Sequence, residues 1–175
     1  MGFHYYLDKH IYKVSGDPRP RMKGTIGRTW HLADVENLAG GSGPDQVTLG
    51  EVFNVYYKAA GFRPGDLTTV ACNPALGVRV KAALRGVDLR VRRGKDGADL
   101  ALLDAMADVE WVAYRFDRVV LGSGDGIFYE KVRELQAAGV AVGIVGRRGC
   151  IARSLWYAAD YRANIWEDSM EEMAA

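Results

Sequence analysis

From Trp30 to Trp166 short apolar runs alternate with segments of helical spacing, and no other feature limits the possible folds as tightly. "TWHLADV" reads as a strand, "GGSGPDQ" as a loop and "TLGEVFNVYYKAAGF" as a helix. In that helix Val52, Val55, Tyr56 and Ala59 recur at the spacing of one helical face. Thr48 and Glu51 form a capping box at its start, and Gly61 closes it. "DLTTVACN" follows as a strand, "PALGVRVKAALRG" as a short helix, and "VDLRVRR" as a strand near a sheet edge, since its apolar and charged residues alternate. "GADLALLDAMADVEW" reads as one helix, "DRVVLGS" as a buried strand and "IFYEKVRELQAAG" as a helix. "VAVGIVG", "CIARSLWYAADY" and "RANIW" then read as strand, helix and short terminal strand. Strands that alternate with helices in this way need crossover connections, so the expectation is an α/β fold with a mostly parallel sheet and helices on both faces.

A chain of 175 residues is the size of one domain. The 23 basic and 22 acidic residues leave a net charge of +1, which neither requires nor excludes a nucleic-acid partner. Cys72 and Cys150 have no metal-ligand spacing and read as reduced core thiols, which fits a cytoplasmic protein. No apolar run approaches the ~20 residues of a membrane span. The start "MGFHYYLDKHIYK" lacks the apolar stretch of a secretory signal. Residues 1–28 differ from the rest: "VSGDPRPRMKGTIGR" mixes Pro, Gly and basic residues and reads as an extended arm or loop ahead of a domain at 29–175. Such an arm is either a solvated tail or a contact for nucleic acid or a partner.

In an open parallel sheet, ligands bind beyond the carboxyl ends of the strands, where the strand order reverses. Three groups of acids belong there. "LADVENL" ends a strand with Asp34, Glu36 and Asn37; "VVLGSGDG" ends one with Ser123 and Asp125; "GKDGADLALLD" opens a helix with Asp96, Asp99 and Asp104. Gathered carboxylates repel, and burying them unpaired is costly. A divalent cation offsets that cost, and oxygen ligands without Cys or His favour Mg²⁺ or Mn²⁺ over Zn²⁺. The chemistry implied is phosphodiester hydrolysis. The glycines of "SGDG" are expected to let the chain turn sharply and to leave room for a cation and a phosphate. The plainer reading makes Asp125 the N-cap of the helix that follows.

These three segments, in this order, resemble the NYN domain, a branch of the PIN-like ribonuclease superfamily that includes the LabA-like bacterial proteins. The resemblance covers about residues 29–166. It implies a PIN-like three-layer α/β/α sandwich and a metal-dependent endoribonuclease that acts on single-stranded RNA with Mg²⁺ or Mn²⁺. It implies Asp34, Asp99 and Asp125 as metal ligands, Asn37 in support of Asp34, and Ser123 as a support or phosphate contact. Asp104 also matches the family pattern, but it lies five residues beyond Asp99, about 140° around a helix, so both do not easily face one ion. The family commonly has a second acid after Ser-Gly-Asp, where this chain has Ile127. Asp96 and Glu36 are the nearby acids left to replace it.

Arg147, Arg148 and Arg153, around "GRRGC", follow the last long strand and either grip RNA phosphates or form a solvated basic loop. "GGSGP" lacks the residues of a phosphate-binding loop. His4, His10 and His31 form no triad, and no residue set supports a Ser or Cys nucleophile. Two rival functions follow: an RNA-binding or regulatory protein on the same fold with weakened catalysis, motivated by Ile127, and a Mg²⁺-dependent phosphatase, which would want Asp where Glu36 stands. A homodimer is compatible with the sequence, and no membrane association is expected.

Overall fold

The computed structural model describes residues 3–7, 10–16, 27–41 and 43–169. Eight strands form one sheet: β1 (Phe3–Leu7), β2 (His10–Gly16), β3 (Thr29–Asp34), β4 (Leu67–Cys72), β5 (Asp88–Val91), β6 (Arg118–Gly122), β7 (Ala141–Arg147) and β8 (Tyr161–Ser169). Their order is β1-β2-β8-β7-β6-β3-β4-β5. Strands β3 to β8 are mutually parallel, and β2 joins β8 antiparallel as the inner strand of the β1–β2 hairpin. The arm expected over residues 1–28 therefore contributes two strands to the sheet, and its segment 17–26 lies outside the described residues.

The helices are α1 (Val35–Ala39), α2 (Gln46–Ala60), α3 (Gly77–Ala83), α4 (Gly97–Ala105), α5 (Val109–Arg115), α6 (Tyr129–Ala137) and α7 (Arg153–Ala158), with one 3-10 turn at Gly126–Phe128. They cover both faces of the sheet. Leu38, Val52, Phe53, Tyr56 and Val80, from α1 to α3, bury one face against Ala33, Val70, Val120 and Val145. Leu102, Val112, Val132, Leu135 and Leu155, from α4 to α7, bury the other against Leu32, Leu121, Val142 and Ile144. This is the expected three-layer α/β/α sandwich. Successive strand residues point to opposite faces, so each strand feeds both cores.

Three local expectations need correction. The capping residue of α2 is Asp45, whose side chain accepts from Thr48 N at 2.8 Å, so the helix starts before the expected Thr48 cap. The segment 97–111 is not one helix: α4 ends at Ala105, and Asp108 caps α5 by accepting from Trp111 N at 2.8 Å. Cys72 is buried as expected, but Cys150 is exposed. Strand β5 is an edge strand, and Gly61 closes α2 in the left-handed conformation (φ 67°), both as expected.

From β3 the chain runs outward to β4 and β5, then crosses to β6, β7 and β8 on the other side. The order therefore reverses at β3, and its carboxyl end is the place where such sheets bind ligands.

Candidate active site

Asp34 is the last residue of β3 and is buried. Its side chain caps α1 by accepting from Asn37 N at 3.0 Å. Asn37 in turn accepts, through Oδ1, from Gly124 N at 3.0 Å. One strand end is thus tied to the next by the motif Asp-Val-Glu-Asn. Sequence periodicity missed α1 because five residues are too few to show it.

The turn after β6 is fixed from both sides. Ser123 is fully buried, and its Oγ accepts from Asp125 N at 3.2 Å. Gly124 O accepts from Ala152 N at 2.8 Å. A Cβ on Gly124 would lie 2.1 Å from Cys150 O, so glycine is required by the approach of the 150–151 backbone. None of Gly122, Gly124 and Gly126 has a positive φ. The expected reason for these glycines, a sharp turn that leaves space, is replaced at Gly124 by close packing. Asp125 caps the following 3-10 turn, its Oδ1 accepting from Ile127 N at 2.9 Å. Ile127 itself is exposed.

Asp99, in the first turn of α4, is only 7 % exposed and lies near Asp34. Two interacting carboxyls titrate as a pair. Burial, then the nearby Asp34 carboxyl, push the Asp99 carboxyl up to about 7, with Asp125 and Asp96 adding to the effect. Burial raises Asp34 as well, helped by the charge of Glu36. Asp99 Oδ1 is buried without a hydrogen-bond partner. Asp96 sits at the start of α4 in the left-handed conformation (φ 57°), a strained position for a residue with a side chain. The structure thus brings Asp34 and Asp125 each within reach of the Asp99 carboxyl. Asp104 is not among them: it is exposed and pairs with Arg92 Nη1 at 2.5 Å.

Arg147 ends β7 and lies over the C-cap of α1, where a Cβ on Gly40 would meet its Nη1 at 1.8 Å. Arg148 and Arg153 are exposed, and the Arg153 guanidinium stands 5.7 Å from the Tyr157 ring centroid. The loop they flank packs on Gly124, so the basic segment borders the turn that carries Asp125. Sequence reasoning missed Asn73, which follows β4 and binds Glu36. The rule that selected Asp34, a polar residue at the carboxyl end of a strand, would also have selected it.

Among the described residues no three Asp, Glu, His or Cys side chains are drawn closely enough together to enclose an ion as they stand. In kind the residues fit a hard divalent cation. The donors are carboxylate oxygens, Asp34 and Asp99 are buried together, and Asp99 Oδ1 has no partner. An apolar groove of about 590 Å³ between α3 and β5, lined by Pro74, Val78, Leu89 and Val91 among others, contains none of these acids. Among the described residues no helix is long and apolar enough to cross a membrane.

The family model described as the NYN domain matches residues 28–165. Among curated proteins none matches the chain. A crystal structure of a protein of unknown function, VPA0982 from Vibrio parahaemolyticus, superposes with a TM-score of 0.54 at 22 % identity, over 81 % of this chain and 94 % of that one. That likeness supports the fold.

Proposed function

The chain belongs to the NYN domain family, and from that premise we propose that it is a metal-dependent endoribonuclease that cuts single-stranded RNA. Membership places it in the PIN-like nuclease superfamily. The observation that carries the finer reading is the burial of the Asp34 and Asp99 carboxyls at the end of β3, with Asp99 Oδ1 left without a partner. Like charges buried together raise each other's pKa and cost stability, and a cation between them offsets both.

In this reading Asp34, Asp99 and Asp125 would hold Mg²⁺ or Mn²⁺. Such an ion supplies an activated water and neutralises charge that builds on the phosphate. The chain's own residues prepare the place. Asn37 fixes the distance between the β3 end and the turn through Gly124 N, and Ser123 holds the amide of Asp125. Ser123 is fully buried, which suits support of the turn better than contact with a phosphate. Arg147, Arg148 and Arg153 would bind the RNA backbone beside the acids. Asp104, exposed and paired with Arg92, has no part in this reading.

The test is cleavage of a mixed single-stranded RNA in EDTA, Mg²⁺ or Mn²⁺, with Asp125→Asn as control. Metal-dependent cleavage that disappears in the variant supports the nuclease. A second reading, RNA binding without cleavage, is favoured by one observation: Asp125 Oδ1 is engaged by Ile127 N, and position 127 carries no acid. Metal-independent RNA binding by a folded, inactive wild-type chain would establish that reading.

A further inference from the structure

We propose that β5 is the docking edge for a second copy of this chain, whose own β5 pairs with it antiparallel across a two-fold axis at Leu89. Among the described residues β5 ends the sheet, with β4 on one side and no strand on the other. Arg92 N donates to Cys72 O at 3.2 Å, so Arg92 directs its amide to β4. These directions alternate along a strand, so Arg90 also faces β4, while the N–H and C=O of Leu89 and Val91 face away from the sheet. Backbone donors and acceptors presented along an edge are a template for another strand.

The side chains on one face suit such a partner. Val87, just before β5, and Leu89 pack half-buried on the core beneath α3. Leu89, Val91 and Val78 of α3 line the groove of about 590 Å³ between α3 and β5. Val78 is 83 % exposed and Val91 48 %. A sheet that continues past β5 would extend the row of Val87, Leu89 and Val91 with the same residues of the partner and cover this groove.

Charge selects the occupant and the register. Asp88 and Arg90 point to the face opposite Leu89. With the axis at Leu89, the two Leu89 residues exchange both backbone bonds, Val87 faces Val91, and each Asp88 faces an Arg90. An axis at Asp88 or Arg90 would set like charges directly against each other, and one at Val91 would set Arg90 against Arg92. Opposite charges directly across antiparallel strands stabilise the pair, and like charges destabilise it. One register thus matches backbone, apolar row and charge, and in it the strand meets itself. The competing explanation is that Asp88 and Arg90, 3.2 Å apart within one chain, only blunt the edge. The two-fold reverses strand direction, so the β3 carboxyl ends of the two protomers open on opposite sides of the joined sheet.

Sedimentation of the full chain from micromolar to millimolar concentration, with Asp88→Arg, Arg90→Asp and Val91→Lys beside the wild type, tests this. Circular dichroism and thermal melts check that each variant is folded. The wild type is expected to form a dimer, and each variant to weaken its dissociation constant by about tenfold or more. Mixed in equal amounts, Asp88→Arg and Arg90→Asp should form a dimer again, because the two arginines of one chain then face the two aspartates of the other. A wild type that stays monomeric at every concentration would overturn the proposal. A dimer that none of the three variants weakens would overturn it too, since the contact would lie elsewhere. Weakening in both charge variants without recovery in their mixture would overturn the two-fold register.

Discussion

At the start of β3, His31 meets Asp66, with Arg63 and Arg118 beside it; at its end, Asp34 meets Asp99, with Glu36, Asp96 and Asp125 around it. Both ends are buried, but their charges are arranged differently. Asp66 accepts from Thr29 N at 3.3 Å and Arg63 N at 2.9 Å, and its Oδ2 is 3.5 Å from His31 Nε2. Arg118 is 2 % exposed and donates to Ala60 O at 3.2 Å. Opposite charges there offset one another within the chain. At the far end the charges that act most on Asp34 and Asp99 are acidic, and the basic residues Arg147, Arg148 and Arg153 stand at the bordering β7 end and loop. The same strand thus carries a closed network that serves stability and an open one suited to a ligand.

The same substitution at the two ends should give opposite results. Asp34→Asn is expected to lower RNA cleavage by roughly a thousandfold, about 4 kcal/mol in the barrier, while the apo protein melts no lower than the wild type. Asp66→Asn leaves the buried Arg118 charge uncompensated and should cost on the order of 3 kcal/mol of stability, with cleavage per folded molecule unchanged. Thermal melts and cleavage rates on both variants check this. A melt of Asp34→Asn as depressed as that of Asp66→Asn would mean that the two ends do not differ.

The closed network also predicts a pH dependence. Burial, with Arg118 adding to it and Asp66 opposing, holds the His31 imidazole down at about 4 against its ordinary 6.5. The folded protein therefore prefers neutral His31, and this contribution is complete above 6.5 and lost as pH falls through 4. It amounts to about 3 kcal/mol. Urea unfolding between pH 7 and 4 should show a decline that is flatter in His31→Gln. Equal slopes in the two proteins would remove His31 as its source.

How much of this could be read from the sequence follows from the range of each interaction. The alternation of strands and helices was legible because apolar periodicity is local. The break between α4 and α5 was not, since Leu102, Met106, Val109 and Ala113 keep a helical spacing across it and all pack into one core. The α2 cap was misplaced because Asp45 and Thr48 are both good caps, and only Asp45 is used. The hairpin at the N-terminus depends on β8, which lies at the other end of the sequence. The acids at 34, 99 and 125 were legible because each stands at the end or start of an element. The bond between Glu36 and Asn73 spans 37 positions and leaves no pattern.

The turn that presents Asp125 offers a smaller test. Gly124→Ala places a Cβ 2.1 Å from Cys150 O, a backbone atom that cannot swing aside. The loop or the turn must move, at about 2 kcal/mol, and cleavage should fall because Asp125 moves with it. Gly126→Ala is the control: its Cβ would meet only the Ala152 Cβ, at 3.5 Å. Equal melts for the two variants would show that packing on the 150–151 backbone does not set the turn.

The smallest effect is expected at Asp104. The family pattern includes this acid, yet the helix turns it about 140° from Asp99. Asp99 is buried against Asp34, whereas the Asp104 side chain is 70 % exposed and pairs with Arg92, itself 43 % exposed. Solvent screens such a pair, so Asp104→Asn should change stability by less than about 0.5 kcal/mol. Cleavage should stay within roughly twofold of wild type, since a charge on the far side of α4 stabilises little at the β3 end. A loss as large as that of Asp34→Asn would require α4 to rotate or slide when RNA or metal binds. Hydrogen exchange along α4 with and without Mn²⁺ would then reveal that movement, and the open end of β3 would have to be redrawn to include Asp104.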